Sequence, residues 1–398
     1  MNQRELALNI LYKTIKDSSY SNLLMRKELN KLPVIQRGFV TNLVNGTIRK
    51  YEYLYSQFKN EIKANTDLRL ILILCLALYE RFYLNEKDYV VNNEYVSLCK
   101  NKHDKGFINA LLHKINELKK SDNDADNCFL PEWIYRLLKS QYNEEDFKSI
   151  IDVYQSIPNT YYRLNKNKCS FDELKSLDIE VINDDIFTSK NNLINTEEFD
   201  KGYFYIQDYN SASLYKHLNL KKDDILLDVC SAPGSKLFNC LDIVKPSNAY
   251  ANDLHEHRVE LIKKMASKLG YEGIHYLVCD ANELKDKLDI RFNKILLDAP
   301  CSGLGVISRK PDIKFHIKPE SLDEIEKIQL DLLNNIDPLL YIDGILLYAT
   351  CTLNKKENSK QINKFLMNND RYVLEDEGTI INSLGDCFYY AKLRKVKL

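Results

Sequence analysis

From Glu5 to about Lys120, apolar side chains recur with the period of a helix. Leu6, Ile10, Leu11 and Ile15 stand at i, i+4, i+5 and i+9. The stretches Phe39–Arg49, Leu68–Phe82 and Gly106–Leu118 repeat that spacing. Gly and Pro are scarce here, so residues 1–120 are expected to form an all-helical domain. Ser121 to Asn127 (SDNDADN) has the composition of a linker and is taken as a boundary. Leu130–Tyr142 and Glu144–Tyr154 read as two further helices. Tyr161–Leu164, Ile179–Ile182 and Tyr203–Ile206 read as short strands, so 128–205 is expected to be a small α+β module. From about Gln207 the pattern alternates strand and helix. Residues 206–398 are therefore expected to form a doubly wound α/β domain with a mostly parallel sheet.

Three of these strands end in cysteine-containing polar turns. Ile295–Leu297 is a fully apolar run, as expected for a strand buried on both faces, and it leads into Asp298, Pro300, Cys301 and two glycines. Ile345–Tyr348 ends in Ala349, Thr350 and Cys351. Ile225–Val229 leads into Cys230, Ser231, Ala232, Pro233, Gly234, Ser235 and Lys236, ahead of a helix over Leu237–Val244. In an open α/β sheet, ligands lie outside the carboxyl ends of the strands, so these turns would face a cleft. One such turn alone reads as a capped strand with a buried cysteine; three together read as a site.

Asp253 and Asp280 follow the next two strands, Ala249–Asn252 and Tyr276–Cys279. An acid in that position can take the hydroxyls of a ribose, while a single Asp is more often a helix cap. With Gly234 and a helix N-terminus at the first turn, the set suits a nucleoside cofactor without a phosphate chain. S-adenosylmethionine fits this better than NAD, and no G-x-G-x-x-G is present.

Net charge is −1 over 398 residues, with 28% charged and 44% hydrophobic, an ordinary globular composition. The distribution is uneven: residues 1–120 carry 20 Lys and Arg against 12 Asp and Glu, an excess of eight positive charges that suits a polyanionic partner. The ten cysteines include no C-x-x-C, and no His lies at zinc-finger spacing from a pair, so no structural metal is expected. No apolar signal segment opens the chain and Leu70–Leu78 is too short to span a bilayer, so a cytoplasmic location with reduced thiols is expected. His255 and His257 read as surface residues at a helix start. Arg258 reads equally as a solvated residue or as a partner of Asp253 or the cofactor. Arg309, Lys310 and Lys314, just past Cys301, read as a basic cluster for RNA phosphate.

The segments CSAPGSK, NDLHEHR, CDA, DAPCSGLGVISRKPDIK, LLYATCTLNKKENSKQI and DCFYYAKLRK occur in the order found in the Sun (Fmu) family of RNA cytosine-5 methyltransferases, and this chain resembles that family. RELALNILYK, SYSNLLMRKEL, FVTNLVNGTIRK and KGFINALLHKI resemble the NusB-like RNA-binding domain that some members carry in front. The resemblance implies a Rossmann-like class I methyltransferase domain that uses S-adenosylmethionine, with no metal, as a monomer acting on 16S ribosomal RNA. It also implies Cys351 as nucleophile, Cys301 as the residue assisting release, and Asp298 at cytosine N3 and the exocyclic amine. Cys230 to Lys236, Asp253, Asp280 and Asp298 would hold the cofactor, with Lys236 near its carboxylate or the active-site loop. From the residues alone, the two cysteines cannot be ranked.

Ser235 and Ser231 stand where the family usually has glycine and alanine, both small exchanges. Cys387 replaces a glycine in the terminal strand, in a place expected to be far from the chemistry. Two rival functions are weighed: the same chemistry on transfer RNA or another ribosomal position, and a non-catalytic RNA-binding assembly factor. The front domain argues against the first, and retention of Asp298, Cys301, Cys351 and the cofactor turn against the second.

Overall fold

A computed structural model of the protein describes residues 2–17 and 19–397. The chain divides into two compact units. One takes the chain up to Gln155 together with Ile307–Pro319; the other takes Ser156–Val306 and the chain from Glu320 onward.

The first unit is helical. Its centre is the helix Leu68–Tyr83, whose residues Leu72–Arg81 are all buried, as expected of a helix apolar on every side. The helices Gln3–Lys16, Val34–Arg49, Asp88–Ser97 and Lys102–Lys114 pack around it. Two buried charges on the central helix find partners inside the unit. Glu80 accepts from Arg4 Nε at 2.9 Å and from the Tyr95 hydroxyl at 2.7 Å. Arg81 donates to the carbonyls of Leu112 and Ile115, both at 2.8 Å. The stretch 121–127, expected as a linker, instead holds a short helix, Asp124–Asn127, capped by Asn123 and tied to Lys59 through Asp126 at 2.8 Å. Short polar side chains that look like linker composition serve here as caps and turn bonds.

The second unit contains two sheets. Four short strands form an antiparallel sheet in the order β2-β3-β1-β4: β1 is Tyr161–Leu164, β2 Glu180–Val181, β3 Ile186–Thr188 and β4 Phe204–Ile206. The larger sheet holds β5 Leu226–Asp228, β6 Ala249–Asp253, β7 His275–Val278, β8 Phe292–Asp298, β9 Leu340–Thr350, β10 Tyr372–Ile380 and β11 Phe388–Lys395. Their order is β10-β11-β9-β8-β5-β6-β7, with β5 to β9 all parallel and β11 antiparallel to both its neighbours. The fold is thus the Rossmann-like α/β arrangement expected, with a helical front region. The order reverses between β5 and β8, the switch point where a crevice opens at the strand ends. No helix among the described residues is long and apolar enough to cross a membrane.

Candidate active site

The register of the parallel strands brings the cysteine turns together. Asp298 at the end of β8 lies opposite Ala349 of β9, so Cys301 and Cys351, a few residues further on, emerge side by side. Their sulfurs are 3.4 Å apart. On the other flank of β8, Asp228 of β5 pairs with Leu296, which sets the Cys230–Lys236 turn beside Asp298.

Asp298 and Lys236 form an ion pair at 2.5 Å, and the ammonium also lies 5.2 Å from the Phe388 ring. Burial works against the Lys236 ammonium, but Asp298, with the Cys351 sulfur and Asp228 behind it, outweighs burial and raises its pKa. Cys301 is pushed well above the ordinary thiol range, first by its hydrogen bond to Cys351, then by burial, by charge on Cys351, and by Glu357 and Asp298. Two thiols at this separation cannot both ionise, so one sulfur of the pair keeps its proton. Cys230, the third cysteine at a strand end, is raised by burial and by Asp228, Asp298 and Asp253.

The turn after β5 is built on Gly234, whose φ of +100° favours glycine; a Cβ there would sit 2.8 Å from the Phe238 ring. Ser231 N–H donates to the Asn252 carbonyl at 2.8 Å, and Gly234 N–H donates to the Ser231 carbonyl at 2.7 Å. Ser235 opens the helix Ser235–Leu241, its carbonyl taking a bond from Gln207. Asp253, buried at the end of β6, accepts from the Ala232 N–H at 3.3 Å and pairs with Arg258 at 3.4 Å. Arg258 in turn donates to the Ala232 carbonyl at 3.1 Å, so it braces the loop between Ser231 and Pro233. Asp280 follows the edge strand β7 and is engaged by Asn282, through its backbone and side-chain nitrogens at 2.9 and 3.0 Å. The exposed rings of His255 and His257 stack on each other at 5.5 Å, as expected for a helix start.

Two sequence readings are corrected. Lys314 is not available to RNA: it is buried, donates to Glu52, and reaches the carbonyls of Arg49 and Phe129 at 3.2 and 3.0 Å. The segment carrying it packs within the helical unit, where Asp312 accepts from Ser21 N–H at 2.8 Å and Phe315 meets Tyr51 edge-on. Cys387 is not far from the chemistry. Because β11 runs antiparallel beside β9, its start lies at the carboxyl end of the parallel strands, and Cys387 N–H donates to the Gly305 carbonyl at 2.9 Å. Gly305 N–H donates to the Cys351 carbonyl at 2.9 Å, and a Cβ on Gly305 would lie 2.2 Å from the Cys387 oxygen.

Comparisons with known proteins place the chain in a family and match its fold. Residues 215–387 match the family described as 16S rRNA methyltransferase RsmB/F, and residues 1–117 match the NusB family. The chain is 32% identical over 392 residues to the probable ribosomal RNA small subunit methyltransferase B of Bacillus subtilis (strain 168), covering 91% of this chain and 88% of that one. The chain belongs to the ribosomal RNA small subunit methyltransferase B family. The relative of that name from Enterobacter sp. (strain 638) is 27% identical, with 99% of each chain covered. Among solved structures, that of PH0851 superposes with a TM-score of 0.78 at 20% identity, covering 99% of both chains. The crystal structure of NSun6 from Pyrococcus horikoshii with SFG gives 0.59 at 19% identity, over 68% of this chain and 99% of that one. At such identities these likenesses speak for the fold.

Sequence reasoning missed two carboxylates in this member of the methyltransferase B family. Asp228 is buried at the end of β5, and neither its oxygens nor the Ser231 hydroxyl has a hydrogen-bond partner among the described residues. Burial lifts its pKa from 3.8 to about 7; the nearby Ser231 hydroxyl pulls the other way, Asp298 adds to the rise, Lys236 opposes it and Asp253 adds again. The signal was an acid inside an otherwise apolar strand. Glu357, fully buried, was hidden in the charged run NKKENSK, which reads as a solvated face.

Proposed function

We propose that this chain transfers a methyl group from S-adenosylmethionine to C5 of a cytosine in 16S ribosomal RNA, through a covalent bond between Cys351 and C6 of the base. The observation that carries this reading is the pair of thiols 3.4 Å apart beside an Asp298–Lys236 ion pair at the switch point of the sheet.

The residues present fit the cofactor. S-adenosylmethionine carries a sulfonium, an ammonium, a carboxylate and a ribose diol. Asp228, with two buried oxygens that no other side chain or backbone group occupies, and the Ser231 hydroxyl beside it suit the ammonium. Asp253 and Asp280, at the ends of β6 and β7, suit the diol and the base end. Cys230 to Lys236 form the turn that would enclose the methionine part, and Asp298 borders it from β8. When bound, the cofactor supplies the electrophilic methyl group.

Cytosine C5 is a poor nucleophile until a group adds at C6 and turns the ring into an enamine. A thiolate suits that addition, being soft and partly ionised at neutral pH. Cys301 is the thiol that keeps its proton, which leaves Cys351 to attack. Lys236 draws charge onto Cys351 and, with Asp298, supplies hydrogen bonding at N3 and the exocyclic amine, where charge develops on addition. After methylation the C5 proton leaves to a base and the C6–S bond breaks. The Cys301 thiol is placed to hydrogen-bond the departing Cys351 sulfur, which is a direct way to assist release.

The helical front domain, 1–120, would recruit the RNA with its positive excess, 128–205 would form a second contact module, and 206–398 would carry the chemistry. Arg309 and exposed Lys310 remain candidates for phosphate. The two cysteine roles separate by experiment. Cys351→Ala should lose both turnover and any protein–RNA adduct. Cys301→Ala should methylate once and stall, giving an adduct that survives denaturing electrophoresis and carries label from methyl-tritiated cofactor. An adduct in Cys351→Ala and none in Cys301→Ala would reverse the roles.

A further inference from the structure

The two cysteine turns are joined beneath the thiols by one side chain. Glu357 is fully buried, and every polar group around its carboxylate is a donor. One oxygen accepts from the Ser302 N–H at 2.8 Å and from Gln329 Nε2 at 3.2 Å. The other accepts from the Ser302 hydroxyl at 2.6 Å, from Asn354 Nδ2 at 3.1 Å and from the Thr352 hydroxyl at 3.5 Å. Ser302 follows Cys301 directly, and its hydroxyl also meets that of Thr352, the residue after Cys351, at 2.7 Å. Gln329 completes the frame by donating to the Pro300 carbonyl at 2.9 Å. No Lys or Arg is among these partners. Five donor contacts and no partner that can only accept suit a carboxylate acting as acceptor alone.

We propose that Glu357 is a positioning residue that straps the Cys301 turn to the Cys351 turn and, as a fixed negative charge beneath Cys301, assigns the shared proton of the thiol pair to Cys301. This deepens the cysteine mechanism above and rests on it for its catalytic meaning. A buried carboxylate with only neutral donors retains much of its field, because no counter-charge cancels it and little water screens it. The titratable groups facing Cys301 include Cys351, Glu357, Asp298 and the Tyr348 hydroxyl, which is neutral. Asp298 is paired with Lys236, so Glu357 is the acid whose charge reaches Cys301 without a cation beside it. A proton kept on Cys301 frees Cys351 to attack, and it is then in place for the hydrogen bond to the same sulfur when the adduct breaks.

The test is alkylation of the full-length protein with iodoacetamide across a pH series, with each cysteine quantified by peptide mass spectrometry. It needs neither RNA nor methyl transfer, so it reads the proton assignment even if the RNA adduct experiment fails. In the wild type Cys351 should react at lower pH than Cys301; Cys301 reacting first overturns the proposal. In Glu357→Gln, with cofactor binding checked by calorimetry as proof of folding, the preference for Cys351 should fall by about tenfold or more, one pH unit of separation. Glu357→Asp, which keeps the charge, should restore most of it. A folded Glu357→Gln with wild-type order and midpoints would reduce Glu357 to a structural tie and sink the proposal. Should that variant fail to fold, Ser302→Ala decides. It keeps the charge and removes one bond of the strap, so the order should persist while turnover falls; loss of the order there overturns the proposal as well.

Discussion

Asp228→Asn tests how the sheet tolerates an acid at its centre. Asp228 is buried between β6 and β8, and its pKa is raised from 3.8 to about 7, chiefly by burial. For a carboxyl raised on folding, the stabilising contribution is complete below the unfolded pKa and is lost as pH climbs through the folded one. The window is therefore roughly pH 4 to 7, and stability falls as pH rises across it. A displacement of about three pH units corresponds to roughly 4 kcal/mol at most, at ~1.36 kcal/mol per unit, and about 2–3 kcal/mol of that is lost between about pH 5 and pH 8. Asn is neutral at every pH and close in shape. In the absence of cofactor the stability of the variant relative to the wild type should rise by that amount between about pH 5 and about pH 8. The single tryptophan, Trp133, belongs to the helical unit, so its fluorescence would report on the wrong part of the chain. Hydrogen exchange of the β5 and β8 amides, corrected for intrinsic rates, reports on the right one. Equal protection differences at both pH values would refute the reasoning. A cofactor ammonium seated on this carboxylate adds a second sign: wild-type binding should strengthen as pH rises through about 7, and the Asn variant should not.

Other outcomes follow from the same geometry. Asp253→Ala should weaken S-adenosylmethionine binding by roughly 1.5–3 kcal/mol if the carboxylate makes charged bonds to the ribose, and calorimetry showing wild-type affinity would remove it from the site. Lys314→Met should destabilise the helical unit by about 3–5 kcal/mol, since it leaves Glu52 buried without its cation, while adding Glu52→Leu should recover most of the loss; Trp133 fluorescence during denaturation reads both. RNA affinity should fall steeply with salt, and Lys102→Glu with Lys105→Glu, both exposed, should weaken it without changing cofactor affinity. An unchanged RNA affinity would assign the positive excess of residues 1–120 to another purpose. Deleting that domain outright is a poorer test, because it would strip Glu52 from Lys314.

The sequence by itself determined which strands are buried and what ends them. Apolar runs such as Ile295–Leu297 need two covered faces, and the turn residues after them carry chemistry that the ordered family segments made recognisable. It also set the helical front, because a period of 3.6 survives without any knowledge of partners. Strand limits moved by a few residues, as with β9, which runs Leu340–Thr350 rather than Ile345–Tyr348, because pairing with β8 and β11 extends it past its apolar centre. What lay beyond reach were the facts that depend on which strands are neighbours. Nothing local says that Asp298 lies opposite Ala349 or that Asp228 lies opposite Leu296, and from those two registers come the sulfur pair and the ion pair beside it. Lys314 and Glu357 show the same limit from the charged side. Each sits in a run of polar residues that a linear reading assigns to solvent, and each is buried because partners 262 and 55 positions away supply what water would have given. Burial of a charge is decided by long-range contacts, and only the tertiary structure contains them.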